Sequence, residues 1–593
     1  MRVSDYGISM EELQYLSKKL KKNKNLISLN LGYNEITSDE FKVVSKSLRK
    51  NSFLKRLGIQ GNLIDIKGLK SLSRTLEIND TLTSLDISEN LFEETPLNWF
   101  LKEVGSKNEN LREIYLRNNN NRELKLSTMK IISKLLITNN LKVLDLSDNK
   151  IDDKSLIYFS NFLNQNKSLE VLSLGENKLE GEGFKRLCSS ISINNSIRSL
   201  SLNFINLSQS DLELLVLALK KNQKIVLLDF SHNYLDENKM QIFSQIFISN
   251  ETLNNLNLRK TISDQQTWKN FSEKIVSEKK ITTLNLSYNP FDLISIQFFA
   301  DSVGKSNFLT SLNLSHCKIK PDEISVLLNS INKKNILKNL NLNNNDLNDK
   351  SLETISRFLS VNSSLKKLYL SSNLFSTDSF HYLGFSFTQN NSLKYLNLSS
   401  NKIDDFILKF FSSYLQKNFS LKKICLNKNQ IGDEGIKSLF KNIIKNQTLQ
   451  QIYLSNNKIN NKGIYFISKF LSKNNNLKVL DISSNDYDHI ALDFLVKSTK
   501  INKSLDVLLC QNFDIRLVYP QQFLIDYFTS CNTPWNYQTH SQFNSYFQNS
   551  VQTFLLVLKF FEKKICLKIP KFVLFMIISK INRKSYHKFI YEK

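Results

Sequence analysis

The sequence predicts an α/β solenoid, a parallel inner sheet with helices on its outer side. Three observations predict it. The chain repeats itself every 28 residues, each repeat holds a strand spacing followed by a helix spacing, and one position between the two is nearly always Asn. Residues 421–448, LKKICLNKNQIGDEGIKSLFKNIIKNQT, display all three. Leu421, Ile424 and Leu426 sit two or three residues apart, as on a short half-buried strand. Asn429 and Ile431 follow at a turn, where an Asn side chain can satisfy backbone groups that a bend leaves without partners. Ile436, Leu439, Phe440, Ile443 and Ile444 then give one apolar helical face. Asp433 is expected at the N-cap of that helix, with Gly435 nearby. Neither half buries its apolar face alone, so the unit has to stack.

The first apolar position recurs from Leu26 through Leu54, Leu82, Leu111, Leu141 and Leu169 to Leu477 and Leu505. The step stays at 28, except for 29 before Leu111 and 30 before Leu141. The Asn position holds Asn34, Asn62, Asn90, Asn119, Asn149, Asn177, Asn233, Asn289, Asn345, Asn373, Asn401, Asn429, Asn457 and Asn485. Cys317 fills it once, and Ile205, Thr261 and Phe513 break it. On these residues, and on the run IGDEGIKSLF at 431–440, the chain resembles the ribonuclease-inhibitor-like class of leucine-rich repeats. The likeness covers roughly residues 5–515. That class includes the sensor arrays of NOD-like receptors and the Ran GTPase-activating proteins. The resemblance implies a curved horseshoe, usually intracellular, that binds other proteins.

Taken in order, residues 1–25 read as half a repeat, a helical cap over the first strand edge. Residues 26–515 are the leucine-rich repeat array, uninterrupted by any linker. Helices of about 10 Å diameter beside strands about 4.8 Å apart place the strands on the inner, concave side. The longest unit, between Leu111 and Leu141, holds an expanded turn, RNNNNRELKLSTMK, either a binding excursion or a neutral insertion. Residues 516–593 leave the pattern and are expected to form a mainly helical cap or accessory segment. Lys559, Lys563, Lys564, Lys568 and Lys571 break its apolar stretch below the roughly 18 residues a membrane span needs. A basic amphipathic membrane contact is the second reading of this tail. The third rests on Ile569, Pro570 and Leu574, which resemble the L-P-x-x-x-L core of F-box and SOCS-box segments and imply ubiquitin-ligase recruitment.

A chain of 593 residues exceeds one ordinary core, which a repeat array does not need. The net charge of +25 would suit an anionic partner, but Lys concentrates in Lys/Asn-rich inter-repeat loops. It reads as a solvated surface and not as a nucleic-acid site. The six cysteines form no C-x-x-C pair and no zinc spacing, which fits reduced thiols in a cytoplasmic protein. The N-terminus has no signal-peptide pattern, and no G-x-x-x-x-G-K-[ST] phosphate loop occurs. The N-x-S/T sequons, such as those at Asn166 and Asn446, read as by-products of the repeat.

No arrangement of His, Cys, Ser or carboxylate supports catalysis, a cofactor or a metal site. The expected function is a non-catalytic scaffold that binds a protein partner on the concave face. The resemblances imply two alternatives, a GTPase-activating or ubiquitin-ligase adaptor protein and a structural ciliary or cytoskeletal subunit. Strand residues between the framework leucines point to the concave side. Their charges segregate. Asp86, Glu89, Glu113, Asp145, Asp148, Glu176 and Asp229 make an acidic stretch, interrupted by Arg117. Arg259, Lys260, Lys367, Lys423 and Lys428 make a basic one. Tyr115, Tyr369, Tyr395 and Tyr453 are the candidate anchors, since Tyr offers contact area at low entropy cost.

Overall fold

The computed structural model describes residues 8–510 apart from 91, 120–123, 139, 277–279 and 377–378. The readings of residues 516–593 as a cap, a ligase-recruiting box or a membrane contact lie outside the described residues. So do Phe513 and part of the expanded turn. The chain divides into two compact units between Asn289 and Pro290, with Ser306–Leu309 also belonging to the first.

In the first unit the strands are β1 (Ser28–Asn30), β2 (Arg56–Gly58), β3 (Ser84–Asp86), β4 (Glu113–Tyr115) and β5 (Val143–Asp145). They continue as β6 (Val171–Ser173), β7 (Ser199–Ser201), β8 (Leu227–Asp229), β9 (Asn255–Asn257) and β10 (Thr283–Asn285). Each pairs in parallel with the next, residue for residue. The second unit repeats the plan with β11 (Ser311–Asn313), β12 (Asn339–Asn341), β13 (Lys367–Tyr369) and β14 (Tyr395–Asn397). It ends with β15 (Lys423–Cys425), β16 (Gln451–Tyr453), β17 (Val479–Ile482) and β18 (Val507–Cys510), again all parallel. A helix separates each strand from the next.

The three-residue strands alternate as the pattern requires. Ile452 is buried between half-exposed Gln451 and Tyr453. Leu144 and Ile452 lie at strand centres, while Leu146 and Leu454 sit just past the strand ends and are also buried. The helices bury one face each. Asp153–Leu163 turns Leu156, Phe159 and Leu163 inward, and its N-cap Asp152 accepts the Ser155 amide at 2.7 Å.

The framework Asn does what a turn asks of it. Asn401 Nδ2 donates to the carbonyls of Leu370, Leu398 and Ser399, and its Oδ1 accepts the Asn373 amide. One side chain thus ties its own turn to the repeat before. Where Thr261 stands instead, its hydroxyl keeps one of these bonds, to the Leu258 carbonyl at 2.7 Å. Ile205 is buried and keeps only the backbone link, its amide donating to Asn233 Oδ1.

The expected N-cap at Asp433 needs correction. Gly432 occupies the N-cap of the helix Asp433–Asn442, and Asp433 is its first residue. The Asp433 carboxylate serves the following repeat, where Oδ1 accepts the amides of Asn460 and Gly463 at 2.8 and 2.9 Å. Asp405 likewise accepts the Gly432 amide at 2.5 Å. A second Asn row, at the loop after each helix, was not anticipated. Asn418 Nδ2 donates to the carbonyls of Phe387 and Asn390, and its Oδ1 accepts the amides of Ser420 and Leu421.

Candidate protein-binding face

In each unit the bare side of the strands is built from four rows. The first and third residues of every strand face outward, and two more rows follow in the turn. The candidate residues sort into these rows. Glu113, Lys367, Tyr395 and Lys423 open their strands, and Asp86, Tyr115, Asp145, Asp229, Tyr369 and Tyr453 stand third. Arg117 and Arg259 lie two residues further on. Glu89, Asp148, Glu176, Lys260 and Lys428 occupy the turn itself, each in the left-handed conformation, with φ between 53° and 58°.

The third row has a structural default. Asn30, Asp86, Asp145, Asp229, Asn257, Asn285, Asn313, Asn341, Asn397 and Asp481 each accept the amide two residues ahead, at 2.8–3.2 Å. This is an Asx turn, for which Asp and Asn are equivalent acceptors. Asp86, Asp145 and Asp229 therefore hold the turn as well as facing solvent. Their alternation with Asn along the row needs no partner to explain it.

Gly58, Ser173, Ser201, Cys425 and Leu509 also stand in this row. Tyr115, Tyr369 and Tyr453 depart furthest from the default in size. None can cap its turn, and in each case the preceding rung takes over. Arg117 N donates to Ser88 Oγ at 3.2 Å, Ser371 N to Asn343 Oδ1 at 2.7 Å, and Ser455 N to Asn427 Oδ1 at 2.9 Å. The turn bond is preserved at every Tyr, so these rings replace a framework residue at no loss to the framework. Sequence reading singled out the tyrosines but missed the row. The signal was present as Asp/Asn recurring three residues before the left-handed position.

In the first unit the acids are partly spoken for. Arg117 pairs with Glu176 at 2.9 Å. The Tyr33 ring lies across Gly61, and its hydroxyl bonds to Glu89. A Cβ on Gly61 would stand 2.3 Å from that ring, and Gly61 has φ +63°, so the position calls for glycine twice over. Burial, then the Glu89 hydrogen bond and charge, push the Tyr33 hydroxyl up to about 12. Burial, helped by Asp145 and Glu89, also raises Asp86 above the usual carboxylate range against the pull of Ser88. Tyr115 is pushed up to about 12 by burial and by Glu113, Asp86 and Asp145. Further along, the Arg259 guanidinium lies over Tyr288 at 4.0 Å, and Phe204 stacks on His232 with centroids 4.9 Å apart. Burial, with Arg259 and Lys260 nearby, lowers the His232 pKa.

In the second unit the structure brings the basic and aromatic candidates together. Lys423 Nζ stands 4.3 Å from the Tyr453 ring centroid and 5.2 Å from that of Tyr395. Tyr395 packs against Tyr369 with centroids 4.7 Å apart. Cys425 Sγ donates to the Tyr395 hydroxyl at 3.6 Å. Burial, then Cys425 and the neighbouring tyrosines, raise the Tyr395 hydroxyl far above its ordinary value. Lys367 flanks Tyr395 in register and Lys428 stands apart on the turn, both exposed.

Among the described residues, no group of three or more His, Cys, Asp or Glu could hold a metal ion, and no helix is long and apolar enough to cross a membrane.

The chain matches the family described as Leucine Rich repeat over residues 22–39, 139–160, 165–188, 305–322, 389–411, 417–440, 445–468 and 473–486. No curated protein matches it. Solved structures similar to it include the crystal structure of a TLR13–ssRNA13 complex, at 17% identity and a TM-score of 0.47, covering 86% of this chain and 72% of that one. A likeness of that degree says nothing about ligand or partner.

Proposed function

We propose that this leucine-rich-repeat chain is a non-catalytic scaffold that binds a protein partner on the open face of its parallel strands. The supporting observation is the exchange of Asx for Tyr at Tyr115, Tyr369 and Tyr453, each with its turn bond preserved by a neighbour. Gly58, Ser173, Ser201, Cys425 and Leu509 also stand in this row without an Asx side chain. What sets the three tyrosines apart is a large ring placed there with its turn bond supplied by the preceding repeat. Tyr adds rigid, amphipathic contact area of the kind that dominates protein interfaces. The framework already satisfies its own backbone, so these side chains remain available to a partner. The repeats hold them on paired strands, which position side chains more closely than loops do.

Affinity purification of the intact chain tests this. The comparison is with the triple variant Tyr115→Ala, Tyr369→Ala, Tyr453→Ala and with a helix-face control, Phe385→Ala. Phe385 is 59% exposed, so its loss leaves the core intact. Proteins captured by the parent chain should be lost from the triple variant and kept by the control, with circular dichroism unchanged in both. Capture kept by the triple variant and lost by the control would place the interface on the helices and overturn the reading.

A further inference from the structure

Among the described residues, the open face of the second unit is almost free of carboxylates. The charged ones among these described residues, in the four outward rows of β11–β18, are Lys367, Lys423, Lys428 and Asp481. Asp481 is buried, and its Oδ1 already accepts both the amide and the hydroxyl of Ser483. Among the described residues, none of the three lysines lies within ion-pair distance of an acid. The ion pairs of this unit sit elsewhere, on Lys350, Arg357, Lys437 and Lys462.

The strand register gathers most of this charge into one patch. Lys367, Tyr395 and Lys423 are direct neighbours on β13, β14 and β15. Strands about 4.8 Å apart put the two lysines roughly 10 Å from each other. Tyr369 and Tyr453 stand in the adjoining row, and Cys425 lies beneath the Tyr395 hydroxyl. Lys423 lies against the rings of Tyr395 and Tyr453. Ring contact orients the ammonium and strips part of its water, but it does not neutralise the charge. A partner carboxylate arriving there meets a held cation and loses little side-chain entropy in the pairing.

We infer that the patch of Lys367, Tyr369, Tyr395, Lys423 and Tyr453 binds an acidic polypeptide segment, its carboxylates on the lysines and an apolar or aromatic side chain against the tyrosines. This rests on the scaffold reading above and names its partner class. Charge complementarity selects the acid. Within the four outward rows the remaining described side chains are Asn, Ser and other uncharged groups, while Lys338, Lys366, Lys394, Lys422 and Lys478 line the strand entries beside them. A phosphate backbone would draw its affinity chiefly from the number of cations it meets along that entry row. Lys423, held between the rings of Tyr395 and Tyr453, instead presents one oriented cation to a carboxylate.

The test uses the full chain and a fluorescein-labelled peptide of alternating Glu and Trp. The matching Gln–Trp peptide and an oligo-dT strand of the same length are the comparison probes. The Glu–Trp peptide should bind at least tenfold more tightly than the Gln–Trp peptide, and the gap should narrow with added salt. Lys423→Gln should weaken it about fivefold or more and Tyr453→Ala by a similar factor. Lys441→Gln, an exposed helix lysine, should leave it unchanged. No binding, equal binding of the two peptides, or equal effects of Lys423→Gln and Lys441→Gln would overturn the inference. Oligo-dT binding as tight as the Glu–Trp peptide, through the same residues, would replace it with a nucleic-acid face. Failure here with partner capture still lost in the triple tyrosine variant would leave the scaffold reading standing. Failure of both would remove both.

Discussion

Asp86 does two jobs that pull its carboxyl in opposite directions. It accepts the Ser88 amide at 3.0 Å, which favours the charged form, while burial together with Asp145 and Glu89 disfavours it more. The net shift is upward. A carboxyl whose folded pKa lies above its unfolded one binds its proton more tightly in the folded state, so stability falls as pH rises between the two values. The penalty is complete above the folded pKa and absent below the unfolded one. Asp86→Asn keeps the Oδ1 acceptor and removes the charge. It should melt higher than the parent at pH 7, with the gain shrinking towards pH 3. A gain of the same size at both pH values would mean that charge is not its cause. The Asn rows rank similarly by their bonds. Asn401→Ala strands the carbonyls of Leu370, Leu398 and Ser399 and the Asn373 amide, and should cost about 1–3 kcal/mol. Asn397→Ala loses one turn bond, to the Ser399 amide, and should cost about 0.5–1.5 kcal/mol. Thermal unfolding of the two variants gives the comparison, and a larger loss at Asn397 would reverse the order of the rows.

At the level of the helix, capping passes from one repeat to the next. The helix Asn461–Leu471 has Asn460 at its N-cap, but the Asn460 side chain makes no capping bond. The carboxylate of Asp433, from the repeat before, supplies it. Gly463 leaves room for this, since a Cβ there would stand 2.5 Å from Asp433 Oδ1. Asp433→Ala should therefore cost about 0.5–2 kcal/mol and raise amide exchange at the start of the helix Asn461–Leu471, more than in its own helix. Exchange rising first in Asp433–Asn442 would return the cap to where the sequence alone put it. This element marks how far the sequence could be read. Strand centres such as Leu144 and Ile452, the framework Asn and the amphipathic helices follow from spacing within one repeat, and they stand where spacing puts them. Asp433 does not, because its partner lies 27 and 30 residues away. The same holds on the open face. The grouping of Tyr369, Tyr395, Lys423 and Tyr453 follows from strand register and was legible. The turn bonds under Asp145 and Asp229 depend on side-chain geometry that spacing cannot resolve, so their charges looked freer than they are.

Over the whole array, the abundance of Asn is structural. The turn row and the helix-end row run through both units, and the second explains the sequons. Asn79, Asn166, Asn194, Asn250, Asn362, Asn390, Asn418, Asn446 and Asn502 are all buried, each with Ser or Thr two residues on. In several the hydroxyl has its own partner one repeat back, as when Ser420 Oγ donates to the Leu393 carbonyl at 2.9 Å and Thr252 Oγ1 to that of Ile225 at 3.0 Å. The N-x-S/T pattern is thus two hydrogen-bonding positions of one loop, written repeatedly along the solenoid. A glycan joins the same Asn nitrogen that the loop uses. Asn418 Nδ2 spends both hydrogens, on the carbonyls of Phe387 at 2.8 Å and Asn390 at 3.1 Å. Incubated with oligosaccharyltransferase and a lipid-linked donor, the native chain should stay unmodified at these sites, while the denatured chain should accept glycan at them. Asn418→Gln should also lower the melting temperature, because a longer side chain cannot reach both carbonyls from the same backbone position, and leaving a buried carbonyl unpaired costs about 1–3 kcal/mol. Efficient modification of the native chain at Asn418 would require that loop to open without unfolding its neighbours. Two bonds reaching back to the preceding repeats oppose that, so such a result would show the helix-end row to be far weaker than its hydrogen bonds imply.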